Sequence, residues 1–192
     1  MSAVLTPSLT PVWRLSVAQY HAMIQAGILT NDDPVELLDG LLVPKMPNNP
    51  LHRAVTQILR QTLEAVTSEG WYVDSQEPIT LDSSEPEPDV MIVRGNTCDY
   101  LDRHPGSADL ALVVEIADSS LQQDRTVKKT LYAQAGILVY WLVNLPEQRV
   151  EVFSKPDDGD YQAAAIYRLN DELPLMILHQ QIALLSVHKV FP

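Results

Sequence analysis

The apolar positions along the chain change period several times, and each change predicts an element. From Ser16 the pattern is helical: Ser16 and Gln19 have the spacing of a capping box, and Gly27 is placed to stop the helix. VELLDGLLVP, residues 35–44, sets two apolar arms around Asp39-Gly40, the pair favoured in a type I′ hairpin turn. Leu51, Val55, Ile58, Leu59, Leu63 and Val66 then recur at helical spacing, with Pro50 suited to the first turn and Gly70 to the end. WYVDSQEPITL (71–81) and DVMIV (89–93) read as strands, and residues 94–107 as a loop. DLALVVEIA (109–117) is the most strand-like run and predicts a central strand. LQQDRTVKKTLYAQAG predicts a helix ending at Gly136, followed by the strand LVYWLVN and a β-rich tail built from RVEVFS, YQAAAIYRL and LMILHQQIALLSV. The order predicts an α/β (α+β) fold, a mixed sheet flanked by helices with an early hairpin and a β-rich C-terminal extension.

Composition narrows the class. A chain of 192 residues, 46% of them apolar, can bury a core, and residues 13–192 are expected to form one domain behind a mobile tail at 1–12. One cysteine, Cys98, excludes an intramolecular disulfide. The N-terminus lacks the basic start and apolar core of a secretory signal, and no run is long enough for a membrane span, so a cytoplasmic protein without a membrane partner is expected. The net charge of −12 opposes wholesale wrapping of nucleic acid, so any polyanion needs a local basic patch, a divalent cation or both. The apolar run from Leu173 to Pro192 and the sheet edges exceed what one small core needs, which predicts a homodimer.

Phosphate loops, dinucleotide fingerprints, nucleophile elbows and His-Glu-x-x-His are absent, and the five histidines show no ligand spacing. Two carboxylates draw attention instead. Asp89 opens the strand DVMIV, on one face with Met91 and Val93. Glu115 follows five apolar residues and shares a face with Val113 and Ala111, where a carboxylate is costly without a cation or donors. If the two strands are neighbours, both acids converge as hard oxygen ligands for one cation such as Mg²⁺. On the next helix Asp124, Lys128 and Tyr132 are four apart and share a face, with Lys128 beside an apolar stripe of Val127, Leu131 and Ala135, and Lys129 roughly 160° from Leu131, toward solvent. On spacing alone, a solvated Asp124–Lys128 pair is the favoured explanation of that face and a turn residue that of Asp89, while a solvated strand end explains Glu115 equally well. In EPEPDVMIV, Glu85 is expected at the surface and Glu87 at a solvated strand edge.

Several stretches together resemble the Uma-type endonuclease family of the restriction-endonuclease-like PD-(D/E)XK superfamily. They are VELLDGLLVPKMPNNPLH, EPDVMIV, DLALVVEIADSSLQQDRTVKKTLYAQAGILVYWLVN and VEVFS, within about residues 16–170. The resemblance implies a mixed sheet with metal-binding acids on adjacent strands. Pro88-Asp89 matches the first acid and Glu115 the second. Ala117 stands where the superfamily's lysine usually does, and Lys128 matches the lysine that this family carries on the next helix. Glu36 matches an acid of the early hairpin that completes or supports the metal site, and His52 a histidine without an assigned role. The residues after Glu115 (Ala117, Asp118, Ser119) depart slightly from the family's Ser-x-Ser. The implied activity is Mg²⁺- or Mn²⁺-assisted hydrolysis of phosphodiester bonds in DNA. Asp89, Glu115 and the Ile116 carbonyl would hold the ion, and Lys128 would assist the attacking water or the transition state. A degenerate, non-catalytic binding module on the same scaffold is the alternative. Asp124 and Tyr132 are supporting candidates, and Arg53, Arg60, Arg125 and Lys129 are candidate phosphate contacts or solvated helix residues.

Overall fold

A computed structural model describes residues 12–30, 32–47 and 49–192. The expected tail lies outside them apart from Val12, which is exposed. Helix α1 (Val17–Gln25) begins with the predicted capping box: the Ser16 side chain accepts from the Gln19 N–H, and the Gln19 side chain accepts from the Ser16 N–H. Strands β1 (Val35–Leu38) and β2 (Leu41–Pro44) form the predicted antiparallel hairpin. Asp39 and Gly40 both have positive φ, 47° and 73°, as a type I′ turn demands.

Helix α2 (Pro50–Glu64) is N-capped by Asn49 and buries His52, Val55, Thr56, Leu59 and Leu63. The predicted stripe shifts by one residue at its start, because Leu51 is exposed and His52 takes the inward position. The helix also stops before Gly70, whose φ of +85° turns the chain into β3 (Trp71–Asp74). Only those four residues of WYVDSQEPITL are strand; 75–89 is irregular, tied to the hairpin by the Leu37–Glu85 bridge.

The main sheet runs β3, β4 (Val90–Arg94), β5 (Leu110–Ala117), β6 (Val139–Asn144), β7 (Arg149–Asp157), β8 (Asp160–Arg168) in spatial order. Only β5 and β6 are parallel. The crossover between them contains helix α3, residues 121–134, and β5 is buried along its whole length, as a central strand should be. One face of the sheet (Val90, Ile92, Leu112, Val114, Ile116, Trp141) packs on α2 and on a second hairpin, β9 (Glu172–Ile177) and β10 (Gln180–Ser186). The other face (Met91, Val93, Val113, Tyr140, Leu142) packs on α3 and on Leu38 of β1.

The β-rich C-terminal extension is present and divides in two. Strands β7 and β8 extend the main sheet, and the C-terminal apolar run fills this chain's own core through Leu173, Leu175, Leu185, Val187 and Phe191. The helix after β5 is also not uniform. Residues Asp124–Lys128 form a π turn, with the Lys129 N–H bonded to the Asp124 carbonyl, between α-helical Leu121–Gln123 and Lys129–Gln134. No helix among the described residues is long and apolar enough to cross a membrane.

Candidate active site

Antiparallel pairing of β4 and β5 matches Val90 with Val114, so one further step of the register sets Asp89 opposite Glu115 on the same face. Asp89 is fixed from two sides. Its Oδ2 accepts the Ile116 N–H at 2.8 Å and lies 3.1 Å from His52 Nε2. His52 is placed by the start of α2, where its own N–H donates to Asn49 Oδ1 at 2.9 Å, and its Nδ1 lies 3.4 Å from Thr56 Oγ1.

Glu115 meets α3. Its Oε1 lies 3.1 Å from Lys128 Nζ and accepts the Tyr132 hydroxyl at 2.5 Å. Lys128 Nζ also reaches Glu36 Oε2 of the hairpin at 3.3 Å, and that oxygen accepts the Glu87 N–H at 3.3 Å. The π turn delivers Asp124 and Lys128 to this point. A turn closed from residue i to i+5 holds one more residue than an α turn, and such turns recur at functional sites. Here it leaves Val127 exposed and puts Asp124 and Lys128 inside with Leu131 and Tyr132. The predicted stripe through Val127 is therefore corrected: Lys128 lies on the buried face rather than beside it. The Asp124 carbonyl also accepts the Tyr140 hydroxyl at 3.2 Å.

These groups line a cleft of about 130 Å³ at the end of the sheet. Glu36, Glu115 and Asp124 act on Lys128, Asp89 lines the same cleft, and all five are buried. Two of these carboxyls, Glu115 and Asp124, hold protons more tightly than usual, because burial penalises their charged forms. Burial pushes Glu115 well up, against the pull of Lys128. Burial likewise raises Asp124 to about 6, opposed by Lys128 and by a hydrogen bond from Ser120. For Lys128 burial alone would favour the neutral amine, but Glu115, Glu36 and Asp124 outweigh it and keep the ammonium charged. Burial and the Glu115 charge raise Tyr132, so it stays a hydroxyl donor. Burial lowers His52, but its bond to Asp89 and that carboxylate's charge reverse the shift and raise it.

The donor set suits a hard divalent ion. Among the described residues Asp89 Oδ1 and Glu115 Oε2 accept no hydrogen bond, their partner oxygens being the ones engaged. No group of three His, Cys, Asp or Glu side chains among the described residues closes around one point. That falls short of a dedicated cage, but Mg²⁺ is commonly held by one or two carboxylates with waters and substrate phosphates.

The phosphate-contact candidates separate. Arg53 borders a hollow that shares Asn49 and Gln76 with the cleft. Arg125 is taken by Glu151 at 2.6 Å, Lys129 by Asp160 at 2.8 Å and Arg60 by Glu64 at 2.9 Å, none of them lining the cleft. Lys129 is thus corrected from a solvent-facing side chain to one lying over the Phe153 ring, 5.3 Å from its centroid. Glu85 is corrected as well: it is buried, 2.6 Å from His21 Nε2 and accepting the Thr80 hydroxyl at 2.8 Å. Sequence reasoning missed Lys45, Asn49 and Gln76 on the cleft wall. Asn49 was findable as the N-cap before Pro50. Gln76, whose left-handed φ of 57° lets its N–H bond to the Pro88 carbonyl, carries no local signal for that strain.

Residues 17–187 match the family model Uma2, described as "Putative restriction endonuclease". The chain belongs to the Uma2 family. The Uma2 chain is similar in fold to a solved structure described as "a putative nuclease belonging to DUF820 from Anabaena variabilis ATCC 29413". The TM-score is 0.69 over 86% of this chain and 94% of the other, at 16% identity, a likeness that carries the fold. No curated protein matches this Uma2 chain. The resemblance drawn from the sequence motifs and the expected restriction-endonuclease-like sheet are both borne out.

Proposed function

We propose that the chain is a metal-dependent endonuclease that hydrolyses phosphodiester bonds in DNA in the cytoplasm, working as a homodimer. One observation carries the reading. Two carboxylates, Asp89 just before β4 and Glu115 within the adjacent β5, stand opposite each other, and the buried ammonium of Lys128 lies against the second. Asp89 and Glu115 would hold Mg²⁺ or Mn²⁺. The Ile116 carbonyl is the proposed third ligand: its N–H faces Asp89, and an extended residue presents N–H and C=O to the same edge. When bound, the ion supplies Lewis acidity to the scissile phosphate and acidifies a water.

The side chains do the rest. His52 and the Ile116 N–H engage Asp89 Oδ2, so Oδ1 would be the oxygen available to hold the ion. Tyr132 holds Glu115 Oε1 in the same way. Glu36 tethers Lys128, whose ammonium would orient the attacking water and stabilise charge gathering on the phosphoryl oxygens. Asp124 supports the same lysine across the π turn.

A second reading, a degenerate binding module, has one observation in its favour. Lys128 satisfies Glu36 and Glu115 together without any ion. Plasmid nicking in Mg²⁺ or Mn²⁺ separates the two. Wild type should nick, whereas Asp89→Ala and Lys128→Ala should lose at least about a hundredfold while keeping native circular dichroism, as expected when a transition-state electrostatic contact is removed. Equal nicking by all three would place the activity elsewhere or in a contaminant. A calorimetric Mn²⁺ titration that is unchanged by Asp89→Ala and Glu115→Ala would exclude the metal site.

A further inference from the structure

The cleft has a charge problem that its buried machinery does not solve. Its walls carry six carboxylates, among them Glu87 and Asp118 near the mouth, against two ammonium groups, Lys45 and Lys128. Lys128 is at the bottom and buried, so an incoming phosphodiester meets it last. Lys45 is different: its side chain is 34% exposed, and its Nζ lies 2.5 Å from Glu87 Oε1, itself 30% exposed. The backbone presents the two residues from opposite lips. The Lys45 N–H bonds to the Pro34 carbonyl at 2.7 Å, closing the base of the hairpin that carries Glu36. Glu87 stands two residues before Asp89, and its N–H is held by Glu36.

We propose that Lys45 is a substrate-binding residue, taking a DNA phosphate beside the scissile one, and that Glu87 is its internal placeholder. This rests on the nuclease reading for the position of the scissile phosphate. Exchange is cheap, because an ion pair this exposed is weak, and a phosphodiester offers the same anionic oxygens as the carboxylate it displaces. Of the other basic candidates, Arg125, Lys129 and Arg60 have carboxylate partners away from the cleft, and Arg53 borders the adjoining hollow rather than the cleft itself. Glu87 adds discrimination: in a protein of net charge −12, a mouth closed by its own ion pair admits only a ligand that outcompetes the carboxylate.

The test measures binding apart from cutting. Fluorescence anisotropy of a labelled DNA duplex in Mg²⁺ is recorded for wild type, Lys45→Ala, Lys45→Arg and Glu87→Gln, each also in a Lys128→Met background. Lys45→Ala should raise Kd about five- to tenfold and flatten the slope of log K against log salt by about 0.9, one phosphate contact. Lys45→Arg should restore both, and Glu87→Gln should lower Kd about threefold by freeing the ammonium from its competitor. In cleavage assays the Lys45→Ala loss should appear in KM. Lys45→Ala with wild-type Kd and salt slope, or Glu87→Gln binding more weakly than wild type, would overturn the proposal. Failure of the wild type to cut would count against the nuclease reading alone, because the Kd comparison can still be read.

Discussion

Asp124 gains from losing its charge on folding. Burial raises it to about 6 from an unfolded value of 3.8, and the proton it binds in the folded state stabilises that state. The sign follows from linkage: between those two values the native protein holds more protons than the unfolded chain, so stability falls as pH rises through the window. About two pKa units correspond to roughly 3 kcal/mol at neutral pH, offset in part wherever a cation neutralises the cluster. Asp124→Asn keeps an acceptor for Ser120 and removes the charge. In EDTA at about pH 7.5 it should be more stable than wild type by ~1–3 kcal/mol, and at about pH 4, where wild-type Asp124 is protonated, the gain should vanish. Thermal melts at the two pH values decide; a variant less stable than wild type at the higher pH would mean that Lys128 depends on this carboxylate more than burial opposes it.

The hairpin β1–β2 carries Glu36 at one end and leads into Lys45 at the other, so its turn matters to the site. Gly40 is clamped at the tip. Its N–H bonds to the Ser83 carbonyl and its carbonyl accepts the Leu15 N–H, both at 2.8 Å. A Cβ there would stand 2.6 Å from Arg14 Cβ and 2.9 Å from the Leu15 carbonyl oxygen, in a left-handed conformation costing an L side chain about 1–2 kcal/mol. Gly40→Ala should therefore lower stability by ~2–4 kcal/mol, with a loss of nicking beyond what the unfolded fraction explains. An unchanged melting temperature would show that the tip can move away.

This turn was legible because Asp-Gly between apolar arms has a local cause, and α1, β4, β5 and β6 were legible for the same kind of reason. Asp89, Glu115 and Lys128 were legible only as a set, through strand alternation and a motif match. What stayed hidden depends on distant partners. Glu85 is buried because His21 and Thr80 reach it from 64 and 5 residues away, and Lys45 faces the cleft because Glu87 lies across it. The π turn was hidden too, since its register answers to the Tyr140 hydroxyl and the carboxylates below it rather than to the helix's own sequence.

For the whole molecule, the C-terminal apolar run no longer supports a dimer, because its side chains complete the core of a single chain. The proposal now rests on the sheet's edges, which are unequal. At one end β3 has four residues; at the other β8 has nine, and among the described residues its outer side pairs with no strand. Natural edge strands are usually blunted by lysine, proline or a bulge. Between Asp160 and Arg168, β8 reads YQAAAIY, without charge or proline, and pairs with β7 in an unshifted register. A second copy can add to it in antiparallel fashion about a two-fold axis near Ala164, joining two six-stranded sheets. Along a strand successive N–H groups alternate between the two sides, so either Ala163 or Ala164 points its N–H away from β7. Proline at that one position leaves the β7–β8 ladder intact and blocks the partner, whereas proline at the other breaks the ladder. Light scattering should give wild type at twice the monomer mass and one of Ala163→Pro and Ala164→Pro as a monomer with a near-wild-type melt, the other being destabilised by ~3 kcal/mol or more. A monomeric wild type, or a dimer untouched by the tolerated proline, would remove β8 from the interface.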